Sequence, residues 1–480
     1  MHGMTFNGIR KNYVTTLRGK RRPAWAPLTR ELVEVSGLPG AHNMGTEVGV
    51  RELEITIVIE SQSFTELKVM AEDLADWLVT DEPKPLIFDD EPHRVYYAMI
   101  DGGMEMDEIV RVGVGLLKFV CPDPYKYNNR EHSQTLSKNV ISIVRNSGSA
   151  DTYPLFEARV INPITNLDIV SPHGYMRVGE PKPVDSTKYS PTTAMLNENM
   201  SSMTGWDVAS TVDNGYVSGT MSTDGNRFFP RTFGTIVQPP NWQGPSMKKS
   251  LVEPVKDFKM EAIVELKNTS GLTGMIEIYL LDANNRHVGK IGIEDTMAGK
   301  ANTHAKAKAG GGNGKWIFGE TYDVWKNFKG MLRLQRQDNV WTAYIAVIDA
   351  KGKHIHVRGS TGNLKYVDAK REFMDEVAQV QIAFRTFPNN DASPMFVDSL
   401  KLWRLNPKPP TGIVSPYIAQ AGDLITIDHA ANVIFINGEE RIDLKDFGAS
   451  YFPLKKGDNV LEYNPDTDVD MLVRWRERFK

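Results

Sequence analysis

The chain has 480 residues, of which 41% are hydrophobic and 24% charged, with a formal net charge of -4. This length suggests about three domains, and the charge offers no basic field for nucleic acid. Cys121 is the single cysteine, which excludes an intrachain disulfide and suits folding in a reducing cytoplasm. No secretory signal is visible, and no apolar run approaches the ~20 residues of a membrane span. The glycines and prolines lie mostly between short alternating runs, which predicts a mainly β protein.

Residues 1–135 predict an α+β domain with a single helix on a sheet. RELEITIVIE, Arg51 to Glu60, alternates and then becomes fully apolar, as a buried strand does. From Ser63 to Val79 the spacing becomes helical, and Ser63 with Glu66 forms a capping box. The apolar stripe of this helix consists of Leu67, Met70, Ala71, Leu74, Trp77 and Leu78. Strands follow in KPLIFDDEPHRVYYAMIDG and RVGVGLLKFVCPDPYKY.

The pattern of strands after residue 135 predicts that one β-sandwich is inserted into the sequence of another. The strands between Val140 and Val178, and those after Gly412, are each too few to bury a core, although AGDLITIDHAANVIFINGEERIDL predicts a hairpin with an Asn437-Gly438 turn. The segment from Trp206 to Leu405 has enough strands for an independent sandwich. Polar linkers are predicted around Val184, in KPVDSTKYSPTTAMLNENMSSMTGW, and in NPKPPTG.

We therefore predict three domains. Residues 1–135 form an assembly domain, residues 136–185 plus 407–480 a discontinuous β-sandwich, and residues 186–406 an inserted jelly-roll β-sandwich. Insertions of this kind are tolerated at exposed turns, because the ends of a compact domain often lie close together.

Motifs from both ends of the chain occur in a specific order. They are MTFNGIRKNY, VSGLPGAHNMGTEVGVRELEITIVIES, GLLKFVCPDPYKY, NSGSADTYPLFEARV, AGDLITIDHAANVIFINGEE and ASYFPLKKGDNVLEY. In this order they resemble the distal tail protein (Dit) family of long-tailed siphophages, over about residues 1–180 and 412–480. The resemblance implies that the discontinuous sandwich is galectin-like. It also implies that residues 186–406 are a carbohydrate-binding-module-like insert, as in larger members.

The resemblance implies a structural protein of the virion, made in the host cytoplasm and located in the distal tail or baseplate. Such proteins form a hexameric ring, a homo-hexamer that joins the tail tube protein to the tail-associated hub protein and anchors receptor-binding proteins. A ring needs heterologous interfaces that close, but no membrane segment, nucleic-acid binding or catalysis. Long loops such as Leu17 to Gly49 suit contacts with a neighbour. The basic cluster RGKRRPAW is open to two interpretations, a solvated loop and a subunit contact.

Several stretches approach catalytic or metal-binding motifs without completing them. AGGGNGKW has Ala309 and Trp316 where a phosphate loop needs Gly and Ser or Thr, which favours a surface loop. DTDVDMLVRWRE has Met471 where an EF-hand needs Gly, which favours an acidic turn before a strand. HIH predicts exposed strand histidines, FDDEPHR a polar loop, and Cys121 a core residue. We predict no catalytic residue, no metal site and no cofactor, and hence that the protein is not an enzyme.

The insert carries six of the nine tryptophans. Trp341 shares a strand face with apolar residues and is predicted to be core. Trp242, in the loop QPPNWQGP, and Trp316, after the glycine-rich loop, are predicted to stack on a host cell-wall saccharide, with Arg227 and Arg385 as companions. The alternative for both tryptophans is that they close the ends of the sandwich.

Three functions remain open from the sequence. The favoured one is a ring protein whose insert binds host cell-surface saccharide. The second is a glycan-degrading virion or secreted enzyme with carbohydrate modules, which is disfavoured because no signal peptide and no acid/base pair are visible. The third keeps the ring but makes the insert a protein-docking module.

Overall fold

The computed structural model describes residues 3–17, 21–103, 106–109, 112–138, 140–181, 187–268, 271–319, 325–356, 364–408 and 414–480. An α-helix, α1, spans Phe64–Leu78, and a 3-10 helix spans Ile442–Leu444. The strands up to residue 179 are β1 (Met4–Phe6), β2 (Val14–Thr16), β3 (Leu28–Glu34), β4 (Ala41–Val48), β5 (Arg51–Glu60), β6 (Lys84–Phe88), β7 (Arg94–Ile100), β8 (Met106–Ile109), β9 (Val112–Cys121), β10 (Lys126–Asn128), β11 (His132–Thr135), β12 (Ser142–Asn146), β13 (Leu155–Val160), β14 (Asn166–Ser171) and β15 (Gly174–Gly179).

The middle of the chain is almost entirely β. Its strands are β16 (Thr187–Tyr189), β17 (Thr192–Glu198), β18 (Asp207–Val208), β19 (Tyr216–Val217), β20 (Thr220–Thr223), β21 (Phe228–Thr232), β22 (Gln243–Gly244), β23 (Ser246–Val255), β24 (Phe258–Leu266), β25 (Leu272–Leu281), β26 (His287–Asp295), β27 (Thr303–Ala309), β28 (Lys315–Gly319), β29 (Phe328–Gln337), β30 (Val340–Ile348), β31 (His354–Ile355), β32 (Leu364–Val367), β33 (Val377–Arg385), β34 (Asp391–Ala392), β35 (Met395–Leu405) and β36 (Val414–Pro416). The last strands are β37 (Leu424–Asp428), β38 (Val433–Ile436), β39 (Glu439–Glu440), β40 (Gly457–Asn464), β41 (Val469–Trp475) and β42 (Arg478–Phe479).

The chain divides into two compact units. Unit 1 consists of Met1–Glu180, Ala419–Ile436 and Arg441–Lys480, and unit 2 of Pro181–Ile418 and Asn437–Glu440. The predicted fold class is confirmed in its architecture, because the chain is mainly β, with an N-terminal α+β part and two β-sandwiches. The exact domain boundaries given above stay predictions.

The N-terminal part of unit 1 packs α1 on an antiparallel sheet. The strand order is β1-β6-β7-β9-β5-β2, with β5 and β9 in register from Arg51 opposite Cys121 to Glu60 opposite Val112. The Ser63 Oγ accepts a hydrogen bond from the Glu66 amide at 3.2 Å, which confirms the N-cap half of the predicted capping box, whereas the Glu66 carboxylate accepts from the Gln62 amide at 2.6 Å. The apolar stripe of α1 then faces the sheet, and the buried residues of this core include Leu67, Leu74 and Trp77. The prediction that Cys121 is a core residue is also confirmed.

The second part of unit 1 joins strands from both ends of the chain. In one sheet, β11, β41, β13, β37 and β38 are neighbours in that order, and the other sheet has the order β12-β40-β14-β15. Strand β13 therefore lies between β37 and β41, which both follow it by more than 260 positions. The next strand along the chain, β14, belongs to the other sheet. The two halves bury one another's apolar faces, with Phe156, Ile427 and Val473 fully buried.

Unit 2 is a sandwich of two large antiparallel sheets. One has the order β20-β21-β35-β24-β29-β30-β31, with β17 on β35 and β32 on β30, and the other has the order β18-β23-β33-β25-β26-β27-β28. Alternating residues of both sheets form the core, which includes Ile278, Leu332 and Trp341. The predicted burial of Trp341 is therefore confirmed.

Three local expectations are wrong. The predicted linker after Val184 contains β17, because Thr192–Glu198 pairs with β35. The predicted loop from Leu17 to Gly49 contains the hairpin β3-β4. His354, expected to be exposed, is buried, and its Nδ1 lies 2.9 Å from the Tyr344 hydroxyl. By contrast, Asn437 and Gly438 both have positive φ, as the predicted turn requires.

Candidate functional site

A cleft of about 480 Å³ lies on the outer face of one sheet of unit 2, and we call it the insert cleft. Strands β25, β26, β27, β28 and β33 supply most of its walls, and the loops before β19 and β22 supply the rest. Its lining residues are Asp213, Asn214, Trp242, Met275, Glu277, Lys290, Glu294, Thr296, Lys306, Lys308, Gly312, Trp316 and Arg385.

The register of the sheet brings the charged residues together. Side chains alternate between the two faces of a strand, so the residues opposite the apolar core are spaced by two. Lys290 of β26 pairs with Lys308 of β27, and Lys308 pairs with Trp316 of β28. Lys290, Lys308 and Trp316 thus form one row across three neighbouring strands.

Glu277 is the centre of a buried ion network. Its carboxylate accepts hydrogen bonds from the Arg385 guanidinium, from the Lys290 Nζ at 3.0 Å and from the Tyr279 hydroxyl at 2.7 Å. Burial would raise the pKa of the Glu277 carboxyl, but the positive charges of Arg385 and Lys290 outweigh it and lower that pKa. Arg385 also donates to the backbone carbonyl oxygens of Asp213 and Asn214 at 2.8 and 3.1 Å, which fixes the loop at the cleft edge.

The two other carboxylates of the insert cleft are also paired. Asp213 lies 2.8 Å from the His287 Nδ1 and 3.1 Å from the Lys290 Nζ. Glu294 lies 2.7 Å from the His304 Nε2 and forms an ion pair with Lys306. Burial opposes ionisation of Glu294, but these two partners lower the pKa of its carboxyl to about 2. All three carboxylates are therefore ionised at neutral pH and held in place.

Two aromatic rings complete the cleft. Trp316 exposes 47% of its surface, and the Nζ atoms of Lys308 and Lys290 lie 5.4 and 5.9 Å from its ring centroid. Trp242 is half-buried and packs edge-to-face against Phe387, with ring centroids 5.6 Å apart. Both tryptophan rings therefore line the cleft, next to polar groups that are held by hydrogen bonds and ion pairs.

The structure brings together three of the four predicted site residues, Trp242, Trp316 and Arg385. Arg227 is not among the residues that line the cleft. Its guanidinium lies 3.0 Å from Glu265 and 3.1 Å from Asp398, and 4.6 Å above the ring of Phe396. The prediction that these residues bind a saccharide stays a prediction.

Sequence reasoning missed the charged residues on the strands. A signal was present, because HAKAKA places polar side chains at every second position and KIGIED places Lys290 and Glu294 four positions apart, on the same face of a strand. Such alternation is also typical of an ordinary solvated face, and only the register shows that Lys290, Lys306 and Glu294 surround one cleft.

The residues that line the insert cleft are of the kinds that bind a polar ligand with flat apolar faces. It offers aromatic surface together with fixed donors and acceptors, as small-molecule sites do. Among the residues that the structure describes, no group of three His, Cys, Asp or Glu side chains is arranged to hold a metal ion. In the same part of the chain, no helix combines the length and apolar character needed to cross a membrane.

Comparisons with known families define the class of protein. Residues 10–121 match the family described as phage tail protein RIFT-related domain, and residues 395–479 match the siphovirus-type tail component, C-terminal domain. Both matches are to domains of phage tail proteins. Together with the relative described next, they support the resemblance to the distal tail protein (Dit) family that the motif order predicts.

Individual relatives match over parts of the chain. The distal tail protein of Bacillus phage SPP1 is 31% identical over 121 residues, which are 25% of this chain and 47% of that protein. The chain therefore spans about half the length of this curated relative. The crystal structure of SPP1 Dit has 21% identity and a TM-score of 0.34, and the match covers 38% of this chain and 75% of that one. The CBM2 module of the evolved Dit of Lactobacillus casei BL23 phage J-1 has 14% identity and a TM-score of 0.39, with 46% and 98% covered.

Proposed function

We propose that this protein is a structural component of the virion that forms a hexameric ring at the distal end of a phage tail. The ring joins the tail tube protein to the tail-associated hub protein and anchors receptor-binding proteins. Unit 2 binds a saccharide of the host cell surface through the insert cleft. The observation that carries the proposal is the pairing of family-matched tail segments with a cleft that places Trp242, Trp316 and Arg385 together.

The hairpin β3-β4 supports the ring. It forms a two-stranded sheet by itself, and almost every one of its residues is exposed. Its exposed apolar side chains are Leu28, Leu32, Val33, Met44 and Val48, with Val35 and Leu38 in the connecting turn. An isolated hairpin is marginally stable, and an apolar patch of this kind marks an interface. A second copy of the chain is the partner that a closed ring supplies.

The fixed charges of the insert cleft support reversible binding of a polar ligand. Each of the carboxylates Glu277, Asp213 and Glu294 is held by two side chains, at least one of them a lysine or arginine, so the cleft keeps its shape without ligand. A ligand then loses less free energy to ordering the site. The exposed ring of Trp316 offers a flat apolar face for one side of a sugar ring.

The same charges favour binding over cleavage. A glycosidase needs a carboxylic acid whose pKa is raised so that it protonates the leaving group. Burial raises the pKa of Asp213, Glu277 and Glu294, but hydrogen bonds and ion pairs with neighbouring side chains outweigh it and lower the pKa of all three. None of the three carboxyls is therefore suited to act as a general acid at neutral pH, which supports a protein that is not an enzyme.

One experiment on the purified full chain tests both parts of the proposal. Negative-stain electron microscopy is expected to show rings with six-fold symmetry, and the labelled particles are expected to bind host cell walls and the polysaccharide released from them. Cell walls from which polysaccharide has been stripped are the control. Rings that bind stripped walls equally well would contradict the saccharide and favour a protein-docking insert. Particles that stay monomeric at all concentrations would contradict the ring.

A further inference from the structure

The cationic side chains of the insert cleft outnumber its carboxylates. The lining residues include three carboxylates and four cationic side chains, which are Lys290, Lys306, Lys308 and Arg385. Three of these four cations form ion pairs with the carboxylates of the cleft. The fourth is Lys308, whose contacts are the backbone carbonyl oxygen of Gly312 and the ring of Trp316. Within the described part of the chain, Lys308 therefore has no carboxylate partner.

Lys308 is a largely buried cation in the wall of the cleft. It exposes 7% of its surface, and it lines the cleft together with Gly312 and Trp316. An ammonium has three donors, and the one acceptor that the described residues supply is the Gly312 carbonyl oxygen. The centroid of the Trp316 ring lies 5.4 Å from the Nζ atom and adds a weak attraction. A carbonyl dipole and an aromatic ring compensate a buried charge less well than an anion does.

The register of the sheet places like charges next to Lys308. Lys290 of β26 lies directly opposite Lys308, and Lys306 shares the same face two positions earlier on β27. Like charges directly opposite one another destabilise a sheet. Carboxylates of the cleft offset the charges of Lys290 and Lys306. An anion bound at this corner therefore interacts favourably with a charge that the chain itself leaves without a carboxylate.

The glycine-rich loop between β27 and β28 holds Lys308 in this position. Gly310 and Gly312 have φ of +76° and +42°, a region in which other residues are strained. A Cβ on Gly310 would lie 2.4 Å from the ring of Phe373, so the loop packs closely on its neighbour. The loop directs the Gly312 carbonyl oxygen at the Lys308 Nζ. The segment AGGGNGKW, which in the sequence favoured a surface loop, thus contributes a wall of the cleft.

We infer that the saccharide bound in the insert cleft is acidic, and that its phosphate or carboxylate group binds the Lys308 ammonium beside Trp316. The inference rests on the proposed saccharide binding and names the class of saccharide. Trp316 exposes 47% of its surface and the Lys306 side chain 35%, so this corner is open to a ligand. The acidic group lies on the sugar that stacks on Trp316 or on the next sugar, because the Nζ is close to that ring. A neutral saccharide can accept a hydrogen bond from Lys308 but leaves its charge unpaired.

Isothermal titration of the full chain with two fractions of host cell-wall polysaccharide tests the inference. An anion exchanger separates the polysaccharide into a neutral and an acidic fraction. The wild type is expected to bind the acidic fraction at least about tenfold more tightly than the neutral one. Lys308→Gln is expected to lose about tenfold in affinity for the acidic fraction alone, because a hydrogen bond between charged groups is lost. Lys401→Gln is the matched control, since Lys401 is an exposed lysine on the other sheet of unit 2.

Chemical reduction of the carboxylates in the acidic fraction to alcohols distinguishes the two sources of charge. Binding that survives the reduction assigns a phosphate, and binding that is lost assigns a carboxylate. Equal affinity of the wild type for the two fractions, or unchanged binding in Lys308→Gln, would overturn the acidic class and leave saccharide binding standing. Absence of binding to either fraction would overturn both. If Lys308→Gln does not fold, the preference of the wild type for the acidic fraction and its weakening by sodium chloride decide the question.

Discussion

The insert cleft of unit 2 and a cleft of about 650 Å³ at the base of the hairpin β3-β4 in unit 1 are built from similar residues and differ in how their cationic side chains are paired. Both combine tryptophan with lysine and arginine. In the insert cleft, three carboxylates pair with Arg385, Lys290 and Lys306, and the Lys308 Nζ lies over the Trp316 ring. In the cleft of unit 1, which Arg30, Arg51 and Lys480 line, no Asp or Glu side chain is among the lining residues, and the buried Arg51 guanidinium has no acceptor in the described part of the chain.

This difference distinguishes a site whose carboxylates are paired within the chain from a surface that has no Asp or Glu side chain among its lining residues. A cleft whose carboxylates are all paired within the chain keeps its geometry without a partner chain. A surface with exposed apolar side chains gains more from permanent contact with another protein chain. This difference supports the two proposals made above, saccharide binding by unit 2 and assembly by the N-terminal part of unit 1.

The largest expected effect is on assembly. The triple variant Leu32→Ser/Leu38→Ser/Met44→Ser removes apolar surface from the hairpin β3-β4, where all three side chains are exposed. Subunit association is expected to weaken by at least about a hundredfold, while the free energy of unfolding changes by less than about 0.5 kcal/mol. Light scattering and urea unfolding measure the two quantities. Val252→Ser, at an exposed valine of unit 2, is the control, and equal loss of assembly in both would contradict the role of the hairpin.

The next effect is on the stability of unit 2. Glu277→Gln leaves Arg385 and Lys290 near a neutral amide in a buried network. The free energy of unfolding of unit 2 is expected to fall by about 3 kcal/mol or more, because one partner of a buried ion network is removed. Glu253→Gln is the control, because Glu253 pairs with Arg404 at an exposed site and is expected to change stability by at most about 1 kcal/mol. Calorimetry of the full chain measures the loss of stability in both variants. Equal losses would contradict the stabilising role of the buried ion network around Glu277.

A smaller effect is expected on ligand binding. Trp316→Ala removes an exposed ring, so the fold is expected to stay intact while binding to host polysaccharide weakens by roughly 2 kcal/mol, or about thirtyfold. Trp25→Ala is the matched control, because Trp25 is an exposed tryptophan of unit 1. Isothermal titration measures the affinities. If Trp25→Ala weakens binding and Trp316→Ala does not, the saccharide site lies outside the insert cleft.

The smallest effect contrasts the two units in mild acid. In unit 1, burial lowers the pKa of His429 to about 4, so the folded state resists a proton that the unfolded state takes up below about pH 6.5. Stability is therefore lost as the pH falls, by about 1 kcal/mol between pH 7 and 5.5. In unit 2, the pKa of Glu294 is lowered to about 2, so its contribution is present above about pH 4.5 and is lost only in stronger acid.

Urea unfolding of the wild type, His429→Gln and Glu294→Gln at the two pH values tests this contrast. The acid-induced loss is expected to shrink in His429→Gln, and the difference between wild type and Glu294→Gln is expected to stay constant. An unchanged loss in His429→Gln would contradict the assignment to His429.

The sequence predicted those features that depend on local pattern. The N-cap at Ser63 and the strand alternation around Trp341 each reflect neighbours within a few positions, and both are confirmed. Trp242 and Trp316 were singled out because loop tryptophans are hard to bury. The hairpin β3-β4 was missed, because its residues lack the clear alternation that burial on one face imposes.

Features that depend on the pairing of strands far apart in the chain could not be predicted from local sequence pattern. The Glu277 and Arg385 side chains meet across 108 positions, and only the pairing of β25 with β33 brings them together. Arg227 was grouped with the tryptophans by residue type, whereas the structure pairs it with Glu265 and Asp398. Arg51 has the sequence context of an ordinary strand start, yet its side chain is fully buried, and it lines one cleft together with residues of the hairpin β3-β4.

The central claim is that the family-matched terminal segments form the ring and that the insert is accessory to it. Light scattering of the full chain, and of a chain with Ser186 to Asn406 replaced by a short Gly/Ser linker, tests it most directly. Both chains are expected to form particles of six subunits. Folded monomers from both, or aggregation of the shortened chain alone, would contradict the claim.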